Sequence, residues 1–413
     1  MSKEMKEWGL TGLLVLAILV AINWGGRSTV DTSRDGPAWW KGETGECGEE
    51  LTRADLDKSL ELGRSFMLNN QKEAGNFQYQ YDWSKKEYDP DDNQVRQAGA
   101  TWGVALLYED KPDPELRKAV FKSLDFWKEN THLTPEGLRY VSYPDDRWGH
   151  LGTVALVALS HIEVLRAEDP DFPEERREEL LEHLDGYLRF LLAARHPDGR
   201  FRDKFLPTVG KSFGGNSPYS DGEALLALVK AAKYMKRDDL IPDIHKITRA
   251  GISMNVKQPL SMEPDSDTTK GYYQWASMSW MEMVTGEWED TEVYGDTVID
   301  LADWMIDTHK TLTRRKNTAY AYEGIISAYV VAKRRGDQHH IDKYECVMNR
   351  GLRKLTTWQI GHPLAKGIVK EAPVDLRSKG GIQNHIKEPP LRIDVTQHQM
   401  HAVTMARDFY ITE

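Results

Sequence analysis

The sequence is poor in cysteine: Cys47 and Cys346 are the only two in 413 residues. Neither sits in a CxxC or another zinc-ligand spacing. They form either one disulfide, tying the start of a domain to a late helix, or two buried thiols. Positive charge is not in excess. Lys and Arg number 54 against 65 Asp and Glu, a formal net charge of -11. A nucleic-acid partner would need a basic footprint, so none is expected. There is no Gly-rich phosphate loop, no nucleophile-elbow serine and no H-E-x-x-H. Neither a cofactor nor a resident metal is therefore expected. Strict apolar–polar alternation never persists beyond a few residues, which argues against extended sheet. What remains is a globular composition, 40% hydrophobic and 29% charged, long enough for one large domain.

One long apolar run is present. From Trp8 to Trp24 the chain carries no charge, and as a helix it spans roughly 25 Å, enough for a thin hydrocarbon core. Trp8 and Trp24 bracket it as interfacial anchors do. No convincing A-x-A cleavage site follows, so residues 1–26 read as an uncleaved membrane anchor rather than a signal peptide. Lys3 and Lys6 precede the span and Arg27 and Arg34 follow it, a weak orientation bias. A short tail before a large body places that body outside the cytoplasm, in a single-pass protein of the cell membrane. Residues 27–50 are polar and Gly-rich and read as a linker. The domain proper is 51–413.

That domain reads as helix after helix. Charged amphipathic stretches fall near 52–70, 113–129, 173–195, 237–254, 291–310 and 337–358. In the third, Leu180, Leu181, Leu184, Leu188 and Leu191 form an apolar stripe. In the second, Asp113-Pro114 marks a helix start. Between them come stretches apolar nearly all round, near 95–109, 149–166, 220–236, 273–285, 319–335 and 395–411. A helix polar on one face belongs outside, and one apolar on every face must be enclosed. Six outer and six inner helices in alternation predict a double-ringed barrel.

The connections into the inner helices are Gly- and aromatic-rich: "EAGNFQYQYD", "PEGLRYVSYPDD", "PDGRFRDKF", "KGYYQW", "NTAYAYEG" and "GGIQNHIKEPPLRIDV". Aligned at their first turns, the inner helices place Gly99, Gly152, Gly222, Ala276 and Gly324 in register, with Met400 the exception. Just before these small residues stand Gln97, His150, Asp221, Gln274, Glu323 and His398. Such groups either cap their own helices or crowd one cavity at one end.

This alternation resembles the (α/α)6 toroid shared by six-hairpin glycosidases, polysaccharide lyases, N-acylglucosamine 2-epimerases and terpenoid cyclases. The resemblance covers about residues 50–413 and rests on helix count and hairpin joints, not on one family's motif. It implies an all-α fold, preceded here by a transmembrane helix, with an aromatic-lined cleft where the inner helices begin. Such clefts often bind a carbohydrate chain. The "DPDD" at Asp89–Asp92 looks like a terpenoid-cyclase motif, but it lies in a polar loop before an N-cap, Asn93.

Glycoside hydrolysis needs two carboxyl groups, one protonated and one ionised. Elimination or epimerisation at a uronic acid needs a base and a cation for the carboxylate. Asp221 and Glu323 share a register on different inner helices and are the first choice of acid/base pair. His150 and Tyr219 are further proton-transfer candidates; Glu223, Asp146 and Asp394 are alternates. Arg96 and Arg147 suit a carboxylate grip. Gln97, Gln274 and His398 could bind substrate from the same ring. Tyr272, Tyr273, Tyr322, Trp102, Trp148 and Trp275 either stack on sugars or pack the core. His398 and His401 share a helix face, but satisfied cleft histidines are commoner than a metal site with His385.

The expected function is thus a membrane-anchored, extracytoplasmic enzyme acting on a polysaccharide, as a glycoside hydrolase or a lyase or epimerase of uronic acid units. The alternative is a non-catalytic module that binds a polymer or peptide, or a scaffold of an envelope assembly. An enzyme should bring two titratable groups together in the cleft, one of them strongly shifted.

Overall fold

The computed structural model describes residues 38–42 and 45–412. The expected anchor between Trp8 and Trp24 lies outside the described residues. Among the described residues, no helix is long and apolar enough to cross a membrane. The chain divides into two units, Met1–Glu46 and Cys47–Glu413. In the first, the Lys41 ammonium lies 5.4 Å from the centre of the Trp40 ring. Everything below concerns the second.

Six charged helices alternate with six apolar ones. The charged set is α1 (Arg53–Asn69), α3 (Pro114–Glu129), α5 (Glu174–Ala193), α7 (Ile241–Gly251), α10 (Glu292–Asp303) and α12 (Gln338–Thr356). The apolar set is α2 (Gln94–Asp110), α4 (Leu151–Arg166), α6 (Pro218–Tyr234), α9 (Asp267–Thr285), α11 (Ala319–Arg335) and α13 (Ile393–Phe409). A π-turn, Ile252–Lys257, and a short helix α8 (Gln258–Met262) extend α7. Each apolar helix packs on the next, and α13 packs back on α2, so the inner ring closes. Each charged helix lies against this ring from outside.

Local chemistry sets the helix starts. Thr52 and Asp55 form a capping box on α1. Asn93 caps α2 through Arg96 N, and Asp113 caps α3 through Glu115 N and Leu116 N. In α4, every residue from Leu151 to Leu165 is buried, as an enclosed helix requires. In α5 the buried stripe is Leu180, Leu184, Leu188 and Leu191. Leu181 does not belong to it: one residue round the helix from Leu180, it is 44% exposed. Helix α9 starts at Asp267 rather than near 273, so "KGYYQW" is helix and not connection.

The inner helices approach closely where glycine stands at their contacts. A Cβ at Gly103 would fall 2.6 Å from the Gln397 side chain, and one at Gly222 would fall 2.5 Å from Trp275. The two glycines of α2 are thus explained by the side chains of α13 crossing them.

The connections hold eight short strands, none longer than three residues. They are β1 (Gln80–Asp82), β2 (Glu87–Tyr88), β3 (Thr131–Leu133), β4 (Arg139–Val141), β5 (Gly149–His150), β6 (Lys204–Phe205), β7 (Ser212–Phe213) and β8 (Pro390–Arg392). Three small sheets result, ordered β2-β1-β8, β3-β4 and β5-β6-β7. Pairing of Tyr81 with Leu391 joins the first connection to the last. All of these strands lie in the connections that lead into inner helices, so they rim one end of the ring.

Two of these connections repeat one turn. Gln71 bridges Phe77 around Gly75, and Arg195 bridges Phe201 around Gly199. Both glycines have positive φ, 108° and 93°, which suits glycine alone. Each turn is tied to an inner helix 20 residues on. Gln97 accepts from Phe77 N at 2.8 Å and donates to Phe77 O at 2.8 Å. Asp221 accepts from Phe201 N at 2.9 Å. Gln97 and Asp221 therefore do the same structural job. The acids of "DPDD" serve this rim too: Asp92 accepts from Gln97 and from Tyr143 OH.

Cys47 and Cys346 form a disulfide, with Cα atoms 4.9 Å apart and a sequence separation of 299. Asn349 on α12 reinforces the tie, donating to Cys47 O and Glu49 O and accepting from Leu51 N.

Closing so long a loop restricts the unfolded chain, a contribution of about 2–4 kcal/mol in typical cases. A Cys47→Ala/Cys346→Ala variant should melt several degrees lower than wild type, and reductant should lower only the wild-type midpoint. Replacing Gln97 by Leu leaves both polar groups of Phe77 without their partner. Its midpoint should fall by the equivalent of about 1–3 kcal/mol, read by thermal unfolding.

Candidate functional site

A cavity of about 220 Å³ opens at the rim, where the inner helices begin. It lies among α6, α9, α11 and α13, and α9 and α13 each line it with side chains one turn apart. Lys270 and Gln274 line it from α9, and Asp394 and His398 from α13; both pairs are i, i+4 neighbours that share a helix face. Tyr219 contributes from α6 and Tyr320 from α11. Continuing the same faces one turn deeper brings Glu223 beneath Tyr219, Glu323 beneath Tyr320 and His401 beneath His398.

Glu323 is fully buried. His398 Nδ1 lies 3.0 and 3.1 Å from its two oxygens, and His401 Nδ1 lies 3.0 Å from Oε1. Burial alone would raise this carboxyl, but the charge and hydrogen bonds of His398, with those of His401, outweigh it and hold it down at about 2. The converse holds for His398. Burial pulls its imidazole down, and Glu323, with Asp394 and Glu223 beyond it, raises it above the ordinary value. Because Nδ1 serves Glu323, Nε2 is the ring nitrogen left for a ligand. Removing one partner from such a buried pair costs about 3–5 kcal/mol. Tryptophans pack this group from below. The Trp102 ring is 4.7 Å from His401, and the Trp275 ring is 5.8 Å from His398. Beyond Trp102, toward the far end of the axis, Glu163 pairs with Lys230 and Arg166.

Glu223 is the opposite case. It is buried against Gly152 of α4, and its Oε2 has no hydrogen-bond partner. Burial, with the Asp203 charge, raises its carboxyl to about 8, although His398 opposes this. Glu223 is therefore a carboxylic acid at neutral pH. It stands on α6, opposite α13 in the ring. Gln274 Oε1 is likewise buried and unpartnered. Buried polar atoms are normally satisfied, and these two oxygens leave hydrogen-bonding capacity open at this end of the barrel.

Cations gather at the mouth. Arg392 grips Asp394 with two parallel bonds of 2.9 and 2.7 Å, which leaves Nη1 for other work. Arg96 Nε lies 3.3 Å from the same carboxylate, and its Nη1 meets Tyr79 OH. Lys270 pairs with Asp267.

The structure thus sorts the sequence candidates. Tyr219, Gln274, Asp394 and His398 line one cavity, with Glu223 and Glu323 beneath it. Asp221 is apart from them. Both its oxygens are engaged, by Phe201 N and by Asn255 Nδ2 at 2.8 Å, and burial raises its carboxyl to about 6. Gln97 holds a turn in the same way. His150 lies 3.5 Å from Asp203 beside β6. Asp146 is exposed and accepts from Gln94, while Arg147 stacks on Trp148 at 4.6 Å. Tyr272 packs against Gly251 and Tyr322 against Gly351, both toward outer helices. His385 lies 3.4 Å from Glu388 and bonds neither other histidine. Among the described residues, no three His, Cys, Asp or Glu side chains gather as a metal site. Lys270, Asn317, Tyr320, Asn384 and Arg392 line the cavity but were not singled out from the sequence. Each sits inside a connection-like motif, and only the i, i+4 spacing to Gln274 points to Lys270 from the sequence.

No protein-family model matches the chain, and no curated protein sequence matches it. Solved structures do. A D-mannose isomerase aligns over 86% of this chain and 97% of its own, at 13% identity and a TM-score of 0.60. A cellobiose 2-epimerase from Spirochaeta thermophila DSM 6192 aligns over 87% and 96%, at 12% identity and 0.60. An unsaturated glucuronyl hydrolase specific for heparin aligns over 86% and 97%, at 10% identity and 0.54. At these identities the likeness is one of fold: the chain is an (α/α)6 toroid.

Proposed function

We propose that this protein is a carbohydrate-acting enzyme that moves a proton at a carbon next to a carboxylate or carbonyl of a saccharide. The observation that carries the reading is the pairing of His398, oriented by buried Glu323, with protonated Glu223 across the ring. His398 Nε2 takes the proton from carbon. The electron pair passes to the substrate's acid or carbonyl group, where Arg392 Nη1 and Lys270 offset the growing negative charge. Glu223 then donates its proton. Delivered to the same carbon from the opposite side, that proton gives epimerisation. Delivered to a leaving oxygen on the neighbouring carbon, it gives β-elimination. The cavity volume of about 220 Å³ is below the roughly 300 Å³ at which drug-sized sites begin. This favours a single sugar unit, or one end of a chain, as the reacting part.

Hydrolysis is a second reading, favoured by Glu223 itself. A carboxyl raised to about 8 is suited to protonate a glycosidic oxygen, with Asp394 as the second carboxyl at the mouth. Incubation with uronate-containing oligosaccharides in D2O separates these outcomes. Epimerisation gives carbon-bound deuterium, elimination a new ultraviolet absorbance, and hydrolysis reducing ends without either. None of the three signals on any neutral or acidic saccharide would sink the enzyme reading and favour a binding module.

The site is proposed to work outside the cytoplasm, at a membrane reached through the N-terminal apolar run. The Cys47–Cys346 disulfide supports an oxidising compartment.

His398→Gln should lower kcat about 10²- to 10⁴-fold without changing the fold, as judged by circular dichroism. The pH–rate profile should be a narrow bell. Its rising limb lies above the ordinary imidazole value of 6.5, where His398 loses its proton, and its falling limb near 8, where Glu223 ionises. Glu223 also sets a stability trend. Its folded value is above the unfolded one of 4.5, so the folded state holds the extra proton, and stability is lost as pH rises from there to about 8. Glu223→Gln should therefore be inactive yet melt higher, relative to wild type, at pH 9 than at pH 5. An equal difference at both pH values would remove Glu223 as the proton donor.

A further inference from the structure

A second concave surface lies outside the ring, away from the mouth cavity. It is an open trough of about 600 Å³ between the turn that follows α5 and the C-terminal turns of α7. Arg195, His196, Asp198 and Arg202 line it from the turn, and Lys246 and Arg249 from the helix. Five basic groups thus share a surface with one acid, in a chain whose net charge is -11. Local pairing does not cancel them. Asp243 takes Arg195 at 2.7 Å and Lys246 at 3.2 Å, and Asp198 takes His196 at 3.1 Å and Arg200 at 2.8 Å. Arg202 and Arg249 form no ion pair among the described residues, and Arg249 is exposed.

The walls of the trough are held at a fixed spacing. Asp221 bonds Phe201 N on the turn and Asn255 on the π-turn that prolongs α7, so one buried carboxyl clamps both sides. Gly199 lets them touch: a Cβ there would fall 2.7 Å from Ala250 Cβ. The cations are consequently presented by a preformed frame rather than by a loose loop. No Phe, Tyr or Trp lines the trough, so it lacks the row of aromatic faces on which successive bases of a single-stranded nucleic acid stack. Arg202 directly precedes Asp203, which accepts from Ser220 at 2.6 Å beside the cavity residue Tyr219. Trough and mouth therefore flank the same stretch of chain.

We propose that this trough binds a carboxylate- or sulfate-bearing stretch of an anionic polysaccharide, separately from the reacting unit in the mouth. The trough's charge and frame stand by themselves; the choice of polysaccharide rests on the carbohydrate reading above. Arg202 and Arg249 supply the free charge, Lys246 adds to it, and Asp221 positions the two walls.

The test is electrophoresis of the full chain, in mild detergent, through gels that contain polygalacturonate, heparin, dextran or a single-stranded oligonucleotide. Polygalacturonate or heparin should retard the protein, less so as salt is raised, and dextran should not. An Arg202→Ala/Arg249→Ala variant should bind about tenfold more weakly with an unchanged melting midpoint. Arg202→Lys/Arg249→Lys should keep most of the binding. Lys246→Glu, at an exposed position, should weaken binding by itself and decides the matter if the alanine pair fails to fold. His398→Gln should bind like wild type, so a failed reaction assay with intact retardation would count against the mouth chemistry alone. The trough proposal is overturned by no retardation in either anionic polysaccharide, by unaltered retardation of the folded alanine pair or of Lys246→Glu, or by equal retardation in the oligonucleotide gel.

Discussion

A carboxylate sealed from water near the axis of a helical ring has to be compensated, and Glu323 is compensated by two imidazoles from one helix. Placing a charge there without partners would cost several kcal/mol. The i, i+3 spacing of His398 and His401 on α13 puts both Nδ1 atoms within 3.0 Å of one carboxyl oxygen. This pairs α11 with α13 at the level of the cavity floor. It also fixes the tautomer of His398 and presents Nε2 to the cavity. Fold and chemistry therefore meet in a single cluster.

Ring closure makes that cluster possible. Because inner helices alternate with outer ones, all six begin at the same rim. Their first turns then hold polar groups that have no outward path to water. The protein answers this in two ways. Some groups, Gln97 and Asp221 among them, are spent on connections, each holding a phenylalanine amide at the end of a glycine turn. Others face the cavity. The contrast between Glu323, driven down to about 2, and Glu223, driven up to about 8, arises from the same burial with and without partners. Environments that push two carboxyls apart in this way are what acid–base chemistry needs.

Much of the architecture was legible in the sequence because it rests on periodicity. All-round apolar stretches such as Leu151–Leu165 can only be enclosed, and capped amphipathic ones such as Pro114–Glu129 can only be peripheral. Helix α9 was the exception. Thr268, Thr269 and Gly271 are poor helix formers, and tertiary packing carries the helix back to Asp267. That early start hid Lys270. The site was legible as a ring of positions but not as a set of partners. Asp221 and Glu323 occupy the same register, yet one faces a turn and the other two histidines, because neighbours from distant sequence decide where a side chain is used. Trp102 and Trp275 take the packing role: both are buried, against His401 and His398.

The central claim is that Glu323 sets the charge and orientation of His398. Nuclear magnetic resonance of the imidazole nitrogens, followed against pH in the wild type and in Glu323→Gln, tests it most directly. The account predicts that His398 in the wild type titrates above 6.5, with its proton on Nδ1 when neutral. In Glu323→Gln the midpoint should drop below 6.5, since burial then acts without the opposing charge. A His398 midpoint that is the same in both proteins would contradict it.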